Sequence, residues 1–471
     1  MRRQTLAMIL LATLAACWGA PRYDLVVANG RVMDPESGLD GIRFIGIDSN
    51  KLVAISQDPL RGRRIIDATN LVVSPGFIDL HEHGQSEEAY KLMVRDGVTS
   101  ELELEVGTGD VAKFYNDRKA GQIVNYGVSI GHIPVRMILF NDPNKDKVPP
   151  LPSGPGGSAV ATEAQIAKMD SMIRKGLGEG AVAVGAGSAY TPGATMAELQ
   201  AVFEVAADSN ASVHIHMRNN VAGLDSTIAA AKAAGAKLHI VHVNSSGDTN
   251  LVAFLAHIQK ARDARQDVTT EAYPYGAGMT EIPSALFDDG QTWPDARFGQ
   301  HQLVSTGKRL TRQTFEEARN KGGAVIIHSR TDDQTRAAIA SQLTMIASDG
   351  FIENGRGHPR TSGTYAKVLG RYVRQDSVLT LMEALRKMTL EPARRLEQRA
   401  PVMAAKGRIK VGADADLTIF NPKTVIDKST YEDATIASEG IPFVIVEGKV
   451  VVDSGKVTAA RPGRAIRAPK H

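Results

Sequence analysis

The chain has 471 residues, of which 43% are hydrophobic and 23% charged, and it contains a single cysteine. Its 55 lysines and arginines nearly balance its 52 aspartates and glutamates, which leaves a net charge of +3. This balance excludes the clustered basic surface of a dedicated nucleic-acid-binding protein. One cysteine excludes an internal disulfide and any metal site built from several thiolates. We therefore expect a globular protein of one to three domains.

The first residues have the pattern of an export signal. Arg2 and Arg3 form a positive region, and the apolar run 6–16 is too short to cross a bilayer as a stable helix. Leu14-Ala15-Ala16-Cys17 resembles a bacterial lipobox, whose cysteine carries the lipid. We interpret residues 1–17 as a signal peptide with a lipobox. They predict an exported bacterial protein, periplasmic or attached to the outer membrane, with lipid as its only membrane contact. A plain signal peptide with an incidental cysteine is the alternative.

The rest of the chain divides by its hydrophobic pattern. Short β-rich runs separated by turn signals such as Asn29-Gly30 occur in residues 22–74 and again in 402–460. They predict a small β-sandwich built from both chain ends. In residues 75–401 short apolar strands alternate with amphipathic helices, which predicts an α/β fold of the (β/α)8 TIM-barrel type with insertions. We expect the basic tail 461–471 to be solvated.

Histidines follow several of the predicted barrel strands, at the ends where TIM barrels place their active sites. His81 and His83 end the strand that begins at Phe77, and a period of two puts both on one face, where they can bind one divalent cation, preferably zinc. Each of two later strands contributes the histidine nearer its end, His216 and His242. We assign these four residues to metal binding.

Other titratable residues near strand ends receive different roles. His214 and His239 precede His216 and His242, and we expect them to be packed deeper or hydrogen-bonded. Asp349 ends an apolar segment before a glycine turn, where a carboxylate can bind metal and move a proton. We interpret His328 as structural, since the metal set is complete without it.

The order of these residues along the chain resembles the amidohydrolase superfamily, and within it the D-aminoacylase or N-acyl-D-amino-acid deacylase branch. The matching strings cover most of the chain from Tyr23 to Asp453: PGFIDLHEHG, RDGVTS, HIHMRN, EAYPYGAG, SDG followed by GHPRTSGTY, LRKMTLEPARRL and KGRIKVGADADLTIF.

The resemblance implies a barrel that holds one or two zinc ions and hydrolyses an amide. It places His81 and His83 at the first metal, and His216 and His242 at the second. Asp349 would lie beside the first metal as the proton shuttle. Zinc-bound water has a pKa near about 7, which makes hydroxide available at neutral pH.

The chain departs from this branch at the bridging ligand. D-aminoacylases typically carry a metal-binding cysteine after the second strand, whereas residues 100–107 here contain none. The stretch 181–185 also lacks the lysine that other amidohydrolases carbamylate as a bridge. Glu105 is the best candidate bridge, being nearest the strand end, and Glu103 competes with it. A strand would place Glu101, Glu103 and Glu105 on one face, and such a row is costly to bury unless it is paired or metal-bound.

Two further departures concern the amino-acid side of the substrate. Asn244 stands where many D-aminoacylases carry a lysine toward the substrate carboxylate, and Asn220 stands where an acidic residue is frequent. Arginine can bind a carboxylate through two hydrogen bonds, and tyrosine can donate one. The candidate substrate-binding residues are Arg218, Arg360, Tyr190, Tyr273, Tyr275, Asn244 and His358.

These observations favour a metal-dependent hydrolase of a linear amide, namely an N-acyl-D-amino acid or a small peptide containing a D-residue, with a free carboxylate. Two alternatives stay open. One is a cyclic-amide hydrolase resembling dihydroorotases and hydantoinases, which the missing bridge lysine disfavours. The other is a lipoprotein that binds an amino-acid derivative without turnover, which would need no proton shuttle at Asp349.

Overall fold

The computed structural model describes residues 22–470, so the predicted signal peptide and lipobox lie outside the described residues. Within this range no helix is both long and apolar enough to span a membrane. The described chain forms a parallel barrel, a β-domain beside it, and an insert before the last barrel strand.

The described chain opens with five strands of the β-domain. The long first strand pairs antiparallel with the second along nearly its whole length, and parallel with the fourth and then the fifth on its other side. The turn predicted at Asn29-Gly30 is wrong. Asn29 adopts a φ of 60°, which asparagine tolerates, and the register shifts between Val27 and Gly30, so the site is a bulge within one strand. The strands are β1 (Arg22–Asp34), β2 (Leu39–Asp48), β3 (Lys51–Ser56), β4 (Arg61–Asp67) and β5 (Val72–Pro75).

Eight parallel strands then form the barrel, each paired with the next barrel strand along the chain. This arrangement confirms the predicted TIM-barrel fold. The first seven barrel strands are β6 (Phe77–Asp79), β7 (Val98–Thr108), β8 (Asn125–Gly131), β9 (Val184–Ala186), β10 (Ser212–Ile215), β11 (Lys237–Ile240) and β12 (Val268–Ala272).

An insert separates the seventh barrel strand from the eighth. It contains a four-stranded antiparallel sheet with its own aromatic core, in which Trp293, Phe287, Phe298 and Phe315 pack together. His328 lies in this sheet, where Nε2 is 2.9 Å from Gln302 Oε1, away from the barrel histidines. The strands of the insert are β13 (Ala277–Glu281), β14 (His301–Leu303), β15 (Lys308–Arg309) and β16 (Ala324–His328); β17 (Thr344–Ile346) completes the barrel, and the short hairpin β18 (Ile352–Glu353) and β19 (Arg356–Gly357) follows.

The barrel closes just beyond the ends of its first and last strands. The backbone N–H of Asp349 donates to the carbonyl of His81 at 2.7 Å, and the N–H of His83 donates to the carbonyl of Gly350 at 2.7 Å. The carboxylate of Asp79 accepts the N–H of Ser348 at 3.1 Å. Closure therefore fixes the backbone of three predicted site residues relative to one another.

Side-chain caps begin many of the helices between the strands. Thr162, Thr311, Thr331 and Thr380 each form a capping box with the residue three positions later, which satisfies free N–H groups of the first turn. The helices are α1 (Glu87–Arg95), α2 (Val111–Asp117), α3 (His132–Leu139), α4 (Pro155–Ser158), α5 (Glu163–Gly178), α6 (Met196–Asp208), α7 (Val221–Ala234), α8 (Val243–Gly247), α9 (Leu251–Asp263), α10 (Asp295–Phe298), α11 (Arg312–Lys321), α12 (Asp332–Ala340), α13 (Arg360–Lys367), α14 (Leu381–Met388) and α15 (Leu390–Leu396).

The C-terminal strands return to the β-domain and extend its sheet. The first of them pairs antiparallel with β5, so strands from the two chain ends share one nine-stranded sheet. Apolar side chains from both ends, among them Val27, Ile45, Leu417 and Ile445, pack into one core. These strands are β20 (Leu417–Phe420), β21 (Phe443–Val446), β22 (Lys449–Asp453) and β23 (Lys456–Val457).

A buried lysine joins this domain to the barrel. Lys406 Nζ lies 3.0, 2.7 and 2.8 Å from the carboxylates of Asp414, Asp416 and Glu447. Asp416 also accepts a hydrogen bond from Asn125 at the start of β8. These three carboxylates are close enough to hold a metal ion, but the ammonium group already occupies the space between them.

The expectation of a solvated C-terminal tail is wrong. Residues 461–470 run along the barrel, and Ile466 is fully buried. The N–H of Ile466 donates to the carbonyl of Tyr126 at 2.7 Å, and that of Ala468 donates to Gly180 at 3.0 Å. The arginines of the tail find local partners, as in the ion pair of Arg461 with Glu87 at 2.7 Å. The apolar residues between the arginines anchor the tail. The number of charges in the tail does not reveal this packing.

Ile466→Ala should lower the free energy of unfolding by about 2–5 kcal/mol, because it removes a buried side chain and leaves a cavity. Lys470→Ala, at an exposed position of the same tail, serves as the control and should change it by less than about 0.5 kcal/mol. Chemical denaturation measures both. Equal stability of the two variants would contradict the packing of the tail.

Candidate metal centre

Four ligand atoms meet at the closure of the barrel. Nε2 of His81 lies 3.2 Å from Nε2 of His83. Glu105 Oε2 is 3.0 Å from the first of these nitrogens and 3.2 Å from the second. Asp349 Oδ1 is 3.5 and 3.3 Å from the same two atoms. All four side chains are at least nine-tenths buried.

This spacing fits a tetrahedral zinc ion. Bonds of about 2.0–2.1 Å that meet at the tetrahedral angle place neighbouring ligand atoms about 3.3–3.4 Å apart. The distances between Nε2 of His81, Nε2 of His83 and each of the two carboxylate oxygens lie between 3.0 and 3.5 Å. Imidazoles and carboxylates are also ligand types that zinc accepts. The two imidazoles and either carboxylate thus have the spacing of three corners of a zinc tetrahedron, which leaves the fourth corner for water.

The other oxygen of Glu105 faces a second pair of histidines. Glu105 Oε1 lies 3.0 Å from Nδ1 of His216 and 3.7 Å from Nε2 of His242. Among the residues that the structure describes, the buried Nε2 of His216 has no hydrogen-bond partner. One carboxylate therefore lies between two sets of imidazoles, as a ligand shared by two metal ions would.

The neighbouring glutamates of β7 do not form the single row expected from a regular strand. Glu103 Oε2 is 2.6 Å from Nδ1 of His83, while its other oxygen accepts the N–H groups of Val106 and Gly107. Glu101 is fully buried beside Glu82, and burial raises the pKa of both carboxyls. The strand register shifts between residues 103 and 108, which turns Glu103 and Glu105 to different partners. Glu103 thus orients His83 and lies outside the group of four ligand atoms.

A carboxylate that the sequence did not single out supports His81 from across the barrel. Glu271, on β12, has one oxygen 2.5 Å from Nδ1 of His81 and the other 3.0 Å from Nε2 of His239. An acceptor on the far nitrogen of a metal-binding histidine fixes its tautomer and its ring orientation. His239 and His214 lie deeper, as expected, with ring centroids 4.5 Å apart.

The carboxylates of this cluster create a site that favours a bound cation. Burial alone would lower the pKa of His81, but the carboxylates of Asp349, Glu271 and Glu105 raise it well above its usual value. Burial would raise the pKa of Glu105, but His81 and the other histidines hold it well below its usual value. Ionised carboxylates thus dominate the cluster, and a bound cation would balance them.

Asp349 is held by an arginine on its outer side. Nη1 of Arg360 lies 2.8 Å from Asp349 Oδ2, which leaves Oδ1 facing the two histidines. Burial would raise the pKa of Asp349, but Arg360 and His81 keep it well below its usual range. Asp349 also has a φ of 52°, a left-handed conformation held by its bond to the carbonyl of His81. The carboxylate is therefore ionised and fixed in direction.

A cavity of about 500 Å³ opens over this cluster. The metal-centre residues His83, Glu105, His216, His242 and Asp349 contribute to its wall, and so do apolar side chains of the insert, including Phe287, Trp293 and Ile327. This size suits a small organic molecule. The insert therefore forms part of the cavity wall.

Two of the seven substrate-binding candidates line this cavity, Tyr190 and Arg360. The hydroxyl of Tyr190 lies 3.1 Å from Thr280 Oγ1, and its ring packs edge-on against His216 with centroids 4.8 Å apart. Arg360 contacts Asp349, as described above. Both side chains can reach a molecule bound beside the histidines.

The other five candidates lie outside the cavity wall, so the expectation of direct contact with substrate is revised. Nη2 of Arg218 donates to the carbonyl of Ala194 at 3.0 Å, beside a separate small cavity. The hydroxyl of Tyr275 donates to Asp427 at 3.1 Å. The polar groups of Arg218 and Tyr275 thus form hydrogen bonds between different segments of the chain.

The remaining three support the wall from behind. Nδ1 of His358 accepts the N–H of Arg360 at 3.1 Å, and its Nε2 faces the carbonyl of Ala277. Asn244 donates to the carbonyl of Tyr273 at 3.0 Å. The ring of Tyr273 lies under the guanidinium of Arg360, 4.6 Å from its centroid. His358, Asn244 and Tyr273 are close in sequence to site residues because they support the wall that those residues form.

Arg330 lines the cavity and was missed at the sequence level. It follows β16 of the insert, where the pattern of short strands does not reveal which loop turns toward the barrel. The sequence signal that could have revealed Arg330 is its position directly after the end of a strand.

Comparison with known proteins identifies the family of this chain. The sequence profile of the amidohydrolase family matches residues 72–451. The chain is 29% identical to the N-acyl-D-glutamate deacylase of Alcaligenes xylosoxydans xylosoxydans, over 95% of this chain and 97% of that protein. It is 27% identical to the D-aminoacylase of the same organism, over 94% and 97%.

Among solved structures, the N-acyl-D-glutamate deacylase of Bordetella bronchiseptica, complexed with zinc and a phosphonate inhibitor, superimposes with a TM-score of 0.80. It is 24% identical in sequence, and the alignment covers 95% of this chain and 100% of that one. The chain belongs to the amidohydrolase family. Within that family it falls in the D-aminoacylase branch, as the strings around its histidines indicated.

Glu105→Gln should weaken zinc binding more than Glu103→Gln. The first change removes the charged oxygens from between both histidine pairs, whereas the second leaves an oxygen that can still accept from His83. We expect Glu103→Gln to lower zinc affinity by about 10–100-fold, as for other supporting residues. Glu105→Gln should also lower the number of bound ions. Chelator competition and metal analysis measure both quantities, and the reverse order would assign the bridge to Glu103.

Proposed function

We propose that this protein is a zinc-dependent deacylase that hydrolyses the linear amide of an N-acyl-D-amino acid or of a small peptide containing a D-residue. The observation that carries the proposal is the close spacing of the ligand atoms of His81, His83 and Glu105 at the base of a cavity, next to the ionised Asp349 that an arginine fixes. The names of the two curated relatives support the substrate class.

His81, His83 and Glu105 would hold the first zinc ion, which leaves a coordination position for water beside Asp349. Glu105, His216 and His242 would hold the second. Bound zinc would lower the pKa of a water molecule to about 7 and polarise the amide carbonyl. Glu271 and Glu103 would keep the Nε2 atoms of His81 and His83 directed at the first site through their contacts with the opposite ring nitrogens.

Asp349 would carry the proton. Its Oδ1 accepts the proton of the attacking water and returns it to the departing nitrogen, which avoids an amide anion as leaving group. The ion pair with Arg360 keeps Asp349 ionised before the reaction and directs Oδ1 toward the histidines.

Two other functions are less well supported. A cyclic-amide hydrolase of the dihydroorotase type would use a bridging lysine, but β9 spans Val184–Ala186 without one and Glu105 lies between the histidine pairs instead. A binding protein without turnover would have no use for a buried aspartate whose backbone strain and ion pair fix its direction.

The cellular location is a separate part of the proposal. The sequence of residues 1–17 supports export with lipid attachment at Cys17. A small-molecule substrate at the cell envelope would suit that address. Globomycin treatment, which blocks lipoprotein processing, should leave the protein unprocessed if this assignment holds.

Turnover of paired N-acetyl-D- and N-acetyl-L-amino acids by the zinc-loaded protein tests the proposed function. We expect hydrolysis of D-enantiomers with kcat/KM at least about tenfold above that of the L-enantiomers, and loss of activity after zinc is removed and its return when zinc is restored. Hydrolysis of dihydroorotate or hydantoins without turnover of linear amides would contradict it.

Asp349→Asn should reduce kcat by about 100-fold to 10,000-fold, because the amide cannot accept the proton. The ligands His81, His83 and Glu105 should keep zinc bound. His257→Asn, on an exposed part of α9, serves as the control and should leave kcat unchanged. An active Asp349→Asn enzyme with normal zinc content would refute the assigned role.

A further inference from the structure

Arg330 places a guanidinium group in the cavity wall with free hydrogen-bond donors. Its Nη2 donates to the hydroxyl of Tyr273 at 2.7 Å, and its Nη1 donates to Ser245 Oγ at 3.4 Å. Its Nε is buried and has no hydrogen-bond partner in the described part of the chain. Both contacts are with neutral hydroxyls, and within residues 22–470 no carboxylate forms an ion pair with this cation. Asp248 lines the same cavity, and the charge of Arg330 acts on it to lower its pKa, against the larger effect of burial.

The other two arginines of the cavity already have a charged or an aromatic partner. Arg360 is 1% exposed, and its Nη1 lies 2.8 Å from the carboxylate of Asp349 as an ion pair, although within the described residues neither this atom nor Nε makes a hydrogen bond. The guanidinium of Arg297 lies over the ring of Trp293, 3.8 Å from its centroid. A substrate carboxylate on Arg360 would compete with Asp349 and place two negative charges together beside the proton shuttle, which costs energy. Arg330 is free of this conflict.

The position of Arg330 is also fixed relative to the metal centre. Tyr273, which accepts its hydrogen bond, follows β12, the strand that carries Glu271. Ser245, its other partner, lies three residues after His242. Asn244, which lies between His242 and Ser245 in the sequence, is uncharged and donates a hydrogen bond to the carbonyl of Tyr273. Arg330 therefore supplies the positive charge on the side of the cavity next to the second histidine pair.

We infer that Arg330 binds the carboxylate of the substrate and makes the enzyme selective for amides that carry a free carboxylate. Nη1 and Nη2 each have one acceptor, Ser245 and Tyr273, so each keeps a second N–H. These two N–H groups form a planar fork that can pair with a carboxylate through two hydrogen bonds. The contacts with Tyr273 and Ser245 hold this fork in place before substrate arrives, which reduces the entropy lost on binding. The inference rests on the proposed function, because it takes the N-acyl amino acid as the substrate.

Kinetics with an N-acetyl-D-amino acid and with its carboxamide separate charge recognition from general damage to the site. Arg330→Met should raise KM for the acid by about 10–100-fold, the cost of a lost charged hydrogen-bond pair, with a smaller effect on kcat. KM for the carboxamide should change by less than about threefold. Arg330→Lys, which keeps the charge and loses the fork, should fall between wild type and Arg330→Met.

Two arginines provide matched controls. Arg336 lies on α12 and pairs with Asp376 at 3.1 Å. Arg336→Met should therefore change neither the KM for the acid nor the KM for the carboxamide. Arg297→Met alters a cation of the same cavity, and its KM for the acid should stay within about threefold of wild type. Arg330→Gln removes the charge while keeping donors for Tyr273 and Ser245, and it replaces the methionine variant if that protein is unstable.

An unchanged KM for the acid in Arg330→Met and Arg330→Gln, or equal losses for acid and carboxamide, would overturn the inference. A large effect at Arg297 without one at Arg330 would move the anchor to Arg297. Calorimetric binding of an N-sulfonyl-D-amino acid, in which a sulfonyl group replaces the scissile carbonyl, tests the anchor without turnover. Binding that is stronger than for its carboxamide and dependent on Arg330 would support the anchor even if the wild type hydrolysed no N-acyl amino acid.

Discussion

The carboxylate of Glu105 is the contact on which the rest of the site depends. One oxygen lies within 3.2 Å of the first histidine pair, and the other lies 3.0 and 3.7 Å from the second pair. A buried carboxylate is costly unless it is paired or hydrogen-bonded. Here four imidazoles surround it. The same position that makes Glu105 expensive to bury makes it a ligand that two metal ions can share.

The barrel supplies the constraint that keeps these groups in place. The hydrogen bonds that close the barrel run between the segments that carry His81, His83 and Asp349. The hydrogen bonds that close the barrel beyond the ends of β6 and β17 therefore also align the ligands. Outside the barrel, the tail with Ile466 and the buried ion cluster of Lys406 attach the chain end and the β-domain to it. The insert completes the cavity above the centre.

Sequence reasoning located the residues whose position follows from local periodicity. His81, His83, His216 and His242 end strands, and a period of two is enough to place them. Glu271 could not be found in this way, because its role comes from contact with His81, which is 190 residues away along the chain. Arg330 belongs to an insert whose loops have no strand-end rule to guide them. The tail was misjudged because its charges were counted, while Ile466 determines where it lies.

Anomalous diffraction from crystals of the zinc-loaded protein tests the account most directly. It predicts one zinc ion bound by His81, His83 and Glu105, next to Asp349. With full loading, a second ion should lie beside His216 and His242, about 3.5–4 Å away, with the carboxylate of Glu105 between the two. Zinc bound through Glu103, or two ions that share no oxygen of Glu105, would contradict the central role assigned to this glutamate.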